Sequence, residues 1–138
     1  MSIKSFFAIP FAKIATKKVF RWAERPHKTQ EKVFKNLLFK GRETAFGKDH
    51  NFANIKNYED FKKEVTVTDY EGLKNYIDRI VAGESDVLWP GKPLYFAKTS
   101  GTTSGAKYIP ITKDSMPTHI KAARNALLFY IAEKKEAN

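Results

Sequence analysis

Cysteine is absent from the 138 residues, which excludes disulfides, thiolate chemistry and cysteine-based metal sites. Histidine is scarce, and His27, His50 and His119 show none of the spacings that metal sites use. Carboxylates are also outnumbered, 15 against 25 lysines and arginines. The resulting formal charge of +10 favours anions in general, whether nucleotide, nucleic acid or acidic membrane. Long hydrophobic runs are missing, so no segment has the ~20 apolar residues of a spanning helix. Near the N-terminus the apolar Phe6-Phe7-Ala8-Ile9-Pro10-Phe11 is interrupted by Pro10 and followed by Lys13, too short a core for a signal peptide. A cytoplasmic protein is therefore expected. The remainder, 42% hydrophobic and 29% charged, is the composition of a soluble globular chain able to bury one modest core.

Apolar periodicity divides the chain into helices with one extended stretch. From Ser2 to Arg25, Phe7, Phe11, Ile14, Ala15 and Trp22 fall on one helical face among many lysines. Such a helix either packs its stripe on the domain or lies in a membrane interface. His27 to Lys40 predicts a second helix burying Val33, Phe34, Leu37 and Leu38, with Gly41 as its stop. The stretch 43–50 reads as polar and turn-like, and the adjacent Asp49 and His50 are assigned no chemistry. Asn57 can cap a short helix, Tyr58 to Glu64. Thr68 with Glu71 three residues later predicts a capping box opening the next helix. That helix buries Tyr70, Leu73, Tyr76, Ile77, Ile80 and Val81 and ends at Gly83, leaving Asp78 and Arg79 to the solvent. Trp89-Pro90-Gly91 marks a turn with an aromatic anchor. Thr112 and Asp114 mark the start of a last helix whose stripe is Met116, Ile120, Ala123, Leu127 and Ile131. Arg124 falls on that same apolar face, and it either snorkels to water, pairs with a carboxylate of the domain or anchors the carboxylate of a ligand.

The most informative stretch is Thr99-Ser100-Gly101-Thr102-Thr103-Ser104-Gly105-Ala106-Lys107. It is flanked by Leu94-Tyr95-Phe96-Ala97 and Tyr108-Ile109-Pro110-Ile111, two apolar runs that read as short strands. A polar hairpin would use these residue types. They also suit an anion cradle, because glycines bring backbone N–H groups close to a ligand, hydroxyls add donors and lysine adds a mobile charge. Phosphate is the natural guest. A Walker A loop is excluded, since Gly101 and Gly105 are three residues apart and Tyr108 follows the lysine.

The run resembles the phosphate-binding loop of adenylate-forming enzymes, with Ala106 where a proline is usual and Tyr108 where a glycine is. Residues 58 to 112 further resemble the auxin-responsive acyl acid-amido synthetase (Gretchen Hagen 3) family. The resembling pieces are Tyr58-Glu59-Asp60-Phe61, Asp69-Tyr70-Glu71, Tyr76-Ile77-Asp78-Arg79-Ile80, Gly83-Glu84 and Lys107-Tyr108-Ile109-Pro110. That family writes Ser-Ser-Gly-Thr-Ser with one more residue before its lysine.

The resemblance implies an α/β fold, here the helix-rich N-terminal portion of an adenylate-forming large domain with a strand-loop-strand unit. Residues 1–138 would be an incomplete part of one adenylating domain, inactive alone. It implies a ligase that uses ATP and Mg2+ to turn a carboxylic acid into acyl-AMP and passes the acyl group to an amine such as an amino acid. By the same resemblance Thr99, Ser100, Gly101, Thr102, Thr103, Ser104 and Gly105 bind the nucleotide phosphates, Lys107 is catalytic and Arg124 meets the acyl substrate. No metal ligand is assigned, and no nucleic-acid partner is expected. The alternatives are a basic module for nucleic acid or a membrane surface, reached through the N-terminal helix, and a non-catalytic interaction domain.

Overall fold

The computed structural model describes residues 3–100 and 105–133. In chain order these form α1 (Ile3–Ala23), α2 (Pro26–Gly41), α3 (Ala45–Asp49), a 3-10 turn (Phe52–Asn54), α4 (Tyr58–Glu64), α5 (Tyr70–Val81), β1 (Tyr95–Lys98), β2 (Tyr108–Ile111) and α6 (Met116–Glu133). The two strands make an antiparallel sheet within an otherwise helical chain, in keeping with the α/β class read from the sequence. Two units emerge: α1 with α6, and residues 32–113. No helix of the described residues is long and apolar enough to cross a membrane.

In the α1–α6 unit the buried face coincides only in part with the one the periodicity selects: Ala15, Met116 and Ile131 of the expected stripes are half-buried. Among the described residues Ala12 and Thr16 are the buried ones of α1, whereas Phe11 and Ile14 are 55% and 59% exposed. The Thr16 hydroxyl is satisfied by donating to the Lys13 carbonyl at 3.0 Å. On α6 it is Leu128 that is buried, while Ile120 and Leu127 of the expected stripe stay exposed. Small side chains on α1 explain the offset, because they let a neighbouring helix come closer than a row of phenylalanines would. Phe20 then meets Phe129 edge to face at 5.7 Å. The side chains of Phe7 and Trp22, also expected in the stripe, lie outside the described residues.

The unit of residues 32–113 has its core at Ile77, Ile80 and Val87, against which Ala45, Tyr70, Tyr76, Leu88 and Tyr108 pack. Each fully buried aliphatic side chain contributes about 1.5–3 kcal/mol. The periodicity of α5 marks Ile77 and Ile80, but Val81 is 46% exposed and Val87 comes from a segment read only as a turn. On α2 the expected stripe is half right: Leu38 is buried and Phe34 partly so, but Val33 and Leu37 are exposed. Phe34 meets Phe61 edge to face at 5.6 Å.

Gly41 ends α2 as read, and is its buried last residue. The stretch after it, expected to be a turn, contains α3. Thr44 caps that helix by accepting from Gly47 N–H at 3.0 Å while donating to the Gly41 carbonyl at 2.7 Å. Two further amides at the start of α3, those of Ala45 and Phe46, are taken by the carbonyls of Asp86 and Val87. The segment 86–87 thus enters the core by finishing a helix end. Asp49 and His50 turn to different partners: Asp49 accepts from the Tyr76 hydroxyl, and His50 stacks on Phe46. Burial, with the Asp49 carboxylate, raises the Tyr76 phenol above its ordinary pKa.

Candidate functional site: the base of the hairpin loop

The hairpin pairs Tyr95 with Ile111, Phe96 with Pro110, Ala97 with Ile109 and Lys98 with Tyr108. Pro110 has no N–H to give a ladder, which a strand with one neighbour tolerates. One residue beyond the last pair, Thr99 closes the loop base twice. Its N–H donates to the Lys107 carbonyl at 3.0 Å, and its Oγ1 accepts from the Lys107 N–H at 3.3 Å. Both backbone polar groups of Lys107 are therefore held by one threonine.

Of the expected phosphate-binding residues, Thr99 is half-buried in this clamp, while Ser100 and Gly105 are exposed. Gly105 has φ +81°, the left-handed region that favours glycine, and among the described residues no atom beyond its chain neighbours lies within 4 Å of the place a Cβ would take. Backbone conformation rather than crowding sets that requirement. Gly101, Thr102, Thr103 and Ser104 lie outside the described residues.

Below the loop stands α5. Its N-cap is Asp69, which accepts from the Gly72 N–H at 3.1 Å, and not Thr68 as the capping-box spacing suggested. Thr68 lays its side chain over Gly72 instead, where an added Cβ would fall 1.8 Å from its Oγ1. At the other end, Gly83 N–H bonds to the Ile80 carbonyl and Glu84 N–H to the Arg79 carbonyl, a Schellman closure with Gly83 at φ +94°. The Glu84 carboxylate returns to grip Arg79, whose Nε donates at 2.8 Å, and this hydrogen-bonded guanidinium holds the Glu84 carboxyl below its usual range.

So fixed, α5 presents Tyr70 from its first turn. The Tyr70 hydroxyl accepts the Tyr108 N–H at 2.9 Å, and the Lys107 ammonium lies 5.2 Å from the Tyr70 ring centroid. On the hairpin Lys98 lies 5.8 Å from the Tyr108 ring, and Phe96 meets that ring edge to face. Two ammonium groups thus rest on aromatic rings beside the loop base. Tyr70 and Lys98 were missed as site residues by sequence reasoning. Lys98 adjoins the Thr/Ser/Gly run, but the aromatic spacing of Tyr70 marked it only as core.

Arg124 lies in the α1–α6 unit and is exposed. With Lys121 and Asn125 it faces Phe11, Ile14, Ala15, Lys18 and Val19 across a groove of about 280 Å³. The expected stripe does not surround it; it stands at the edge of the α1 contact.

These residues can receive an anion. Lys107 has no carboxylate partner among the described residues, a free donor remains on the Thr99 hydroxyl, and Ser100 is open to solvent. They do not assemble a metal cage, for no group of three or more His, Asp or Glu that could hold a metal comes together among the described residues.

Comparison with known proteins bears on the family of the chain. Indole-3-acetic acid-amido synthetase GH3.15 of Arabidopsis thaliana is 32% identical over 93 residues, 66% of this chain and 16% of the relative. Indole-3-acetic acid-amido synthetase GH3.2 of the same plant is 29% identical over 104 residues, 74% of this chain and 19% of the relative. A 4-substituted benzoates-glutamate ligase, GH3.12, also from Arabidopsis, is 38% identical over 71 residues, covering 51% of this chain and 11% of the relative. The chain spans less than a fifth of the length of these relatives. No solved structure matches it. Residues 15–137 match the GH3 family N-terminal domain, and with nearly its whole length inside that match the chain belongs to the GH3 family.

Proposed function

We propose that this chain is the N-terminal part of an ATP-dependent ligase that activates an acyl acid as its adenylate and transfers the acyl group to an amine, an amino acid in the first instance. The observation that carries the reading is the Lys107 ammonium, held with no carboxylate partner among the described residues at the base of a Ser/Thr/Gly loop in a GH3 family chain. The names of the relatives, amido synthetases and a glutamate ligase, support the same reaction class.

The chemistry needs what the loop offers. A carboxylate resists nucleophiles until one of its oxygens belongs to a good leaving group, and AMP supplies one. Forming that bond expels pyrophosphate, so donors aimed at the departing oxygens lower the barrier. Lys107 supplies charge and Ser100 and Thr99 supply hydroxyls, with Gly101, Thr102, Thr103, Ser104 and Gly105 completing the run in sequence. Mg2+ would be carried by the substrate phosphates with few protein ligands, and would supply charge neutralisation there. Arg124 is assigned to the acyl carboxylate, its guanidinium exposed on a groove with apolar walls at Phe11, Ile14 and Val19.

The test is carboxylate-dependent exchange of pyrophosphate into ATP, measured on a polypeptide that carries this chain together with the further length seen in its relatives. Exchange is expected there and not with the 138 residues alone, because donors to the phosphates do not by themselves offset the entropy of fixing ATP. Exchange by the 138 residues alone would refute the reading of this chain as a part, and no exchange by the longer protein would refute adenylation.

A further inference from the structure

We propose that Tyr70 is a positioning residue that fixes the Lys107 ammonium at the loop base through two contacts of one side chain. The ring carries Nζ at 5.2 Å from its centroid, and the hydroxyl takes the N–H of the next residue, Tyr108, at 2.9 Å. Lys107 is thereby held from both sides. Thr99 bonds its N–H and its carbonyl, and Tyr70 bonds the amide that follows and faces the end of the side chain. Tyr70 is itself anchored, packing on the Ile77–Ile80–Val87 core from the first turn of a helix closed at both ends.

An aromatic ring suits this task better than a carboxylate would. A lysine is flexible and loses much rotamer freedom when fixed, so an unheld ammonium would sample many positions around the loop. A carboxylate would hold it but would also cancel its charge and compete with an incoming anion. The face of a tyrosine attracts a cation through its quadrupole and leaves the positive charge uncancelled. Tyrosine also brings an acceptor at the far end of a rigid ring, which phenylalanine lacks. The geometry stands by itself, while the benefit to phosphate chemistry rests on the function proposed above.

The 138-residue chain suffices for the test, with Tyr70→Phe and Tyr70→Leu made in it. In wild type the Lys107 side-chain CεH2 resonances should show an upfield ring-current displacement, retained in Tyr70→Phe and lost in Tyr70→Leu. Exchange of the Tyr108 amide should quicken by about two- to twelvefold in both variants as the hydroxyl acceptor goes. Lys107 resonances equal in wild type and Tyr70→Leu would overturn the proposal. Unchanged Tyr108 exchange in Tyr70→Phe would also do so, and that arm holds even where the leucine variant does not fold. Inorganic pyrophosphate is the probe of the linked reading, with affinity expected to fall about two- to fivefold in Tyr70→Leu and to stay within about twofold in Tyr70→Phe. Wild-type chain that shows the ring-current displacement yet ignores pyrophosphate would uphold Tyr70 and count against the phosphate site.

Discussion

Gly47→Ala offers a quantitative test of how the α2–α3 corner is built. A Cβ at Gly47 would fall 2.0 Å from the Gly41 carbonyl oxygen, 2.9 Å from its carbon and 3.1 Å from the Arg42 Cα, all backbone atoms that cannot rotate away. The oxygen is not free to retreat, because it accepts both the Thr44 N–H at 3.0 Å and the Thr44 hydroxyl at 2.7 Å. Thr44 is only 1% exposed, so water cannot replace bonds lost there. Two weakened hydrogen bonds at about 0.5–1.5 kcal/mol each, with an overpacking cost of about 1–3 kcal/mol, give about 2–6 kcal/mol of destabilisation. That is a large share of the about 5–15 kcal/mol that folded domains have in hand. Urea unfolding of the 138-residue chain followed by far-UV circular dichroism would measure it. Gly91→Ala is the control: its φ is +76° with open space around it, so only the left-handed backbone cost of about 1–2 kcal/mol applies. If Gly47→Ala costs no more than Gly91→Ala, crowding at the corner is not what selects glycine.

Three further outcomes are expected. In a protein containing the complete activity, Lys107→Ala should lower the adenylation rate about 100- to 1000-fold while leaving transfer from supplied acyl-AMP far less affected, which separate half-reaction assays would show. In the same protein, Arg124→Ala should raise the half-saturating acyl acid concentration by about ten- to 150-fold with a smaller change for ATP; steady-state kinetics reporting equal changes would make it a structural arginine. Glu84 has its carboxyl held down by Arg79, so its contribution is complete above the unfolded pKa and is lost as pH falls through the lowered folded value. Urea unfolding of wild type and Glu84→Gln should accordingly differ at neutral pH and converge in strong acid.

Helices were legible in this sequence wherever three or four apolar residues shared a face and a cap stood before them. Asn57 does cap α4, bonding the Asp60 N–H at 3.0 Å, and the chain leaves α5 at Gly83 as read. Which face is buried was legible only in part, because burial depends on the neighbour as well as the stripe. On α1 the large Phe11 and Ile14 were the wrong guide, since the buried positions among the described residues are Ala12 and Thr16. The cap of α5 was misread by one residue: Thr68 and Asp69 both have the needed oxygen, and the packing of Thr68 over Gly72 left the role to Asp69. Five-residue α3 has no periodicity to read, and amides that bond to residues 86–87 help hold its start. At the candidate site the Ser/Thr/Gly run and Lys107 stood out by composition. Tyr70 is 37 residues away in sequence from Lys107 and reaches it only through the fold.

The pairing of α1 with α6 has a consequence in time. About 90 residues separate the end of one helix from the start of the other, and at ribosomal speeds of about 5–20 residues per second the first is made about 5–20 s before its partner. Throughout that interval the Ala12 and Thr16 face has no α6 to meet, whereas the segment 32–113 completes its contacts within itself. Bringing two ends of so long a loop together also carries a closure entropy that local contacts avoid, of the order of 4 kcal/mol before other terms. Assembly from the middle outward is the expected order, with α1 docking last although it is synthesised first. Pulse-labelled hydrogen exchange during refolding would see it as amides of α5 and β2 protected earlier than those of α1.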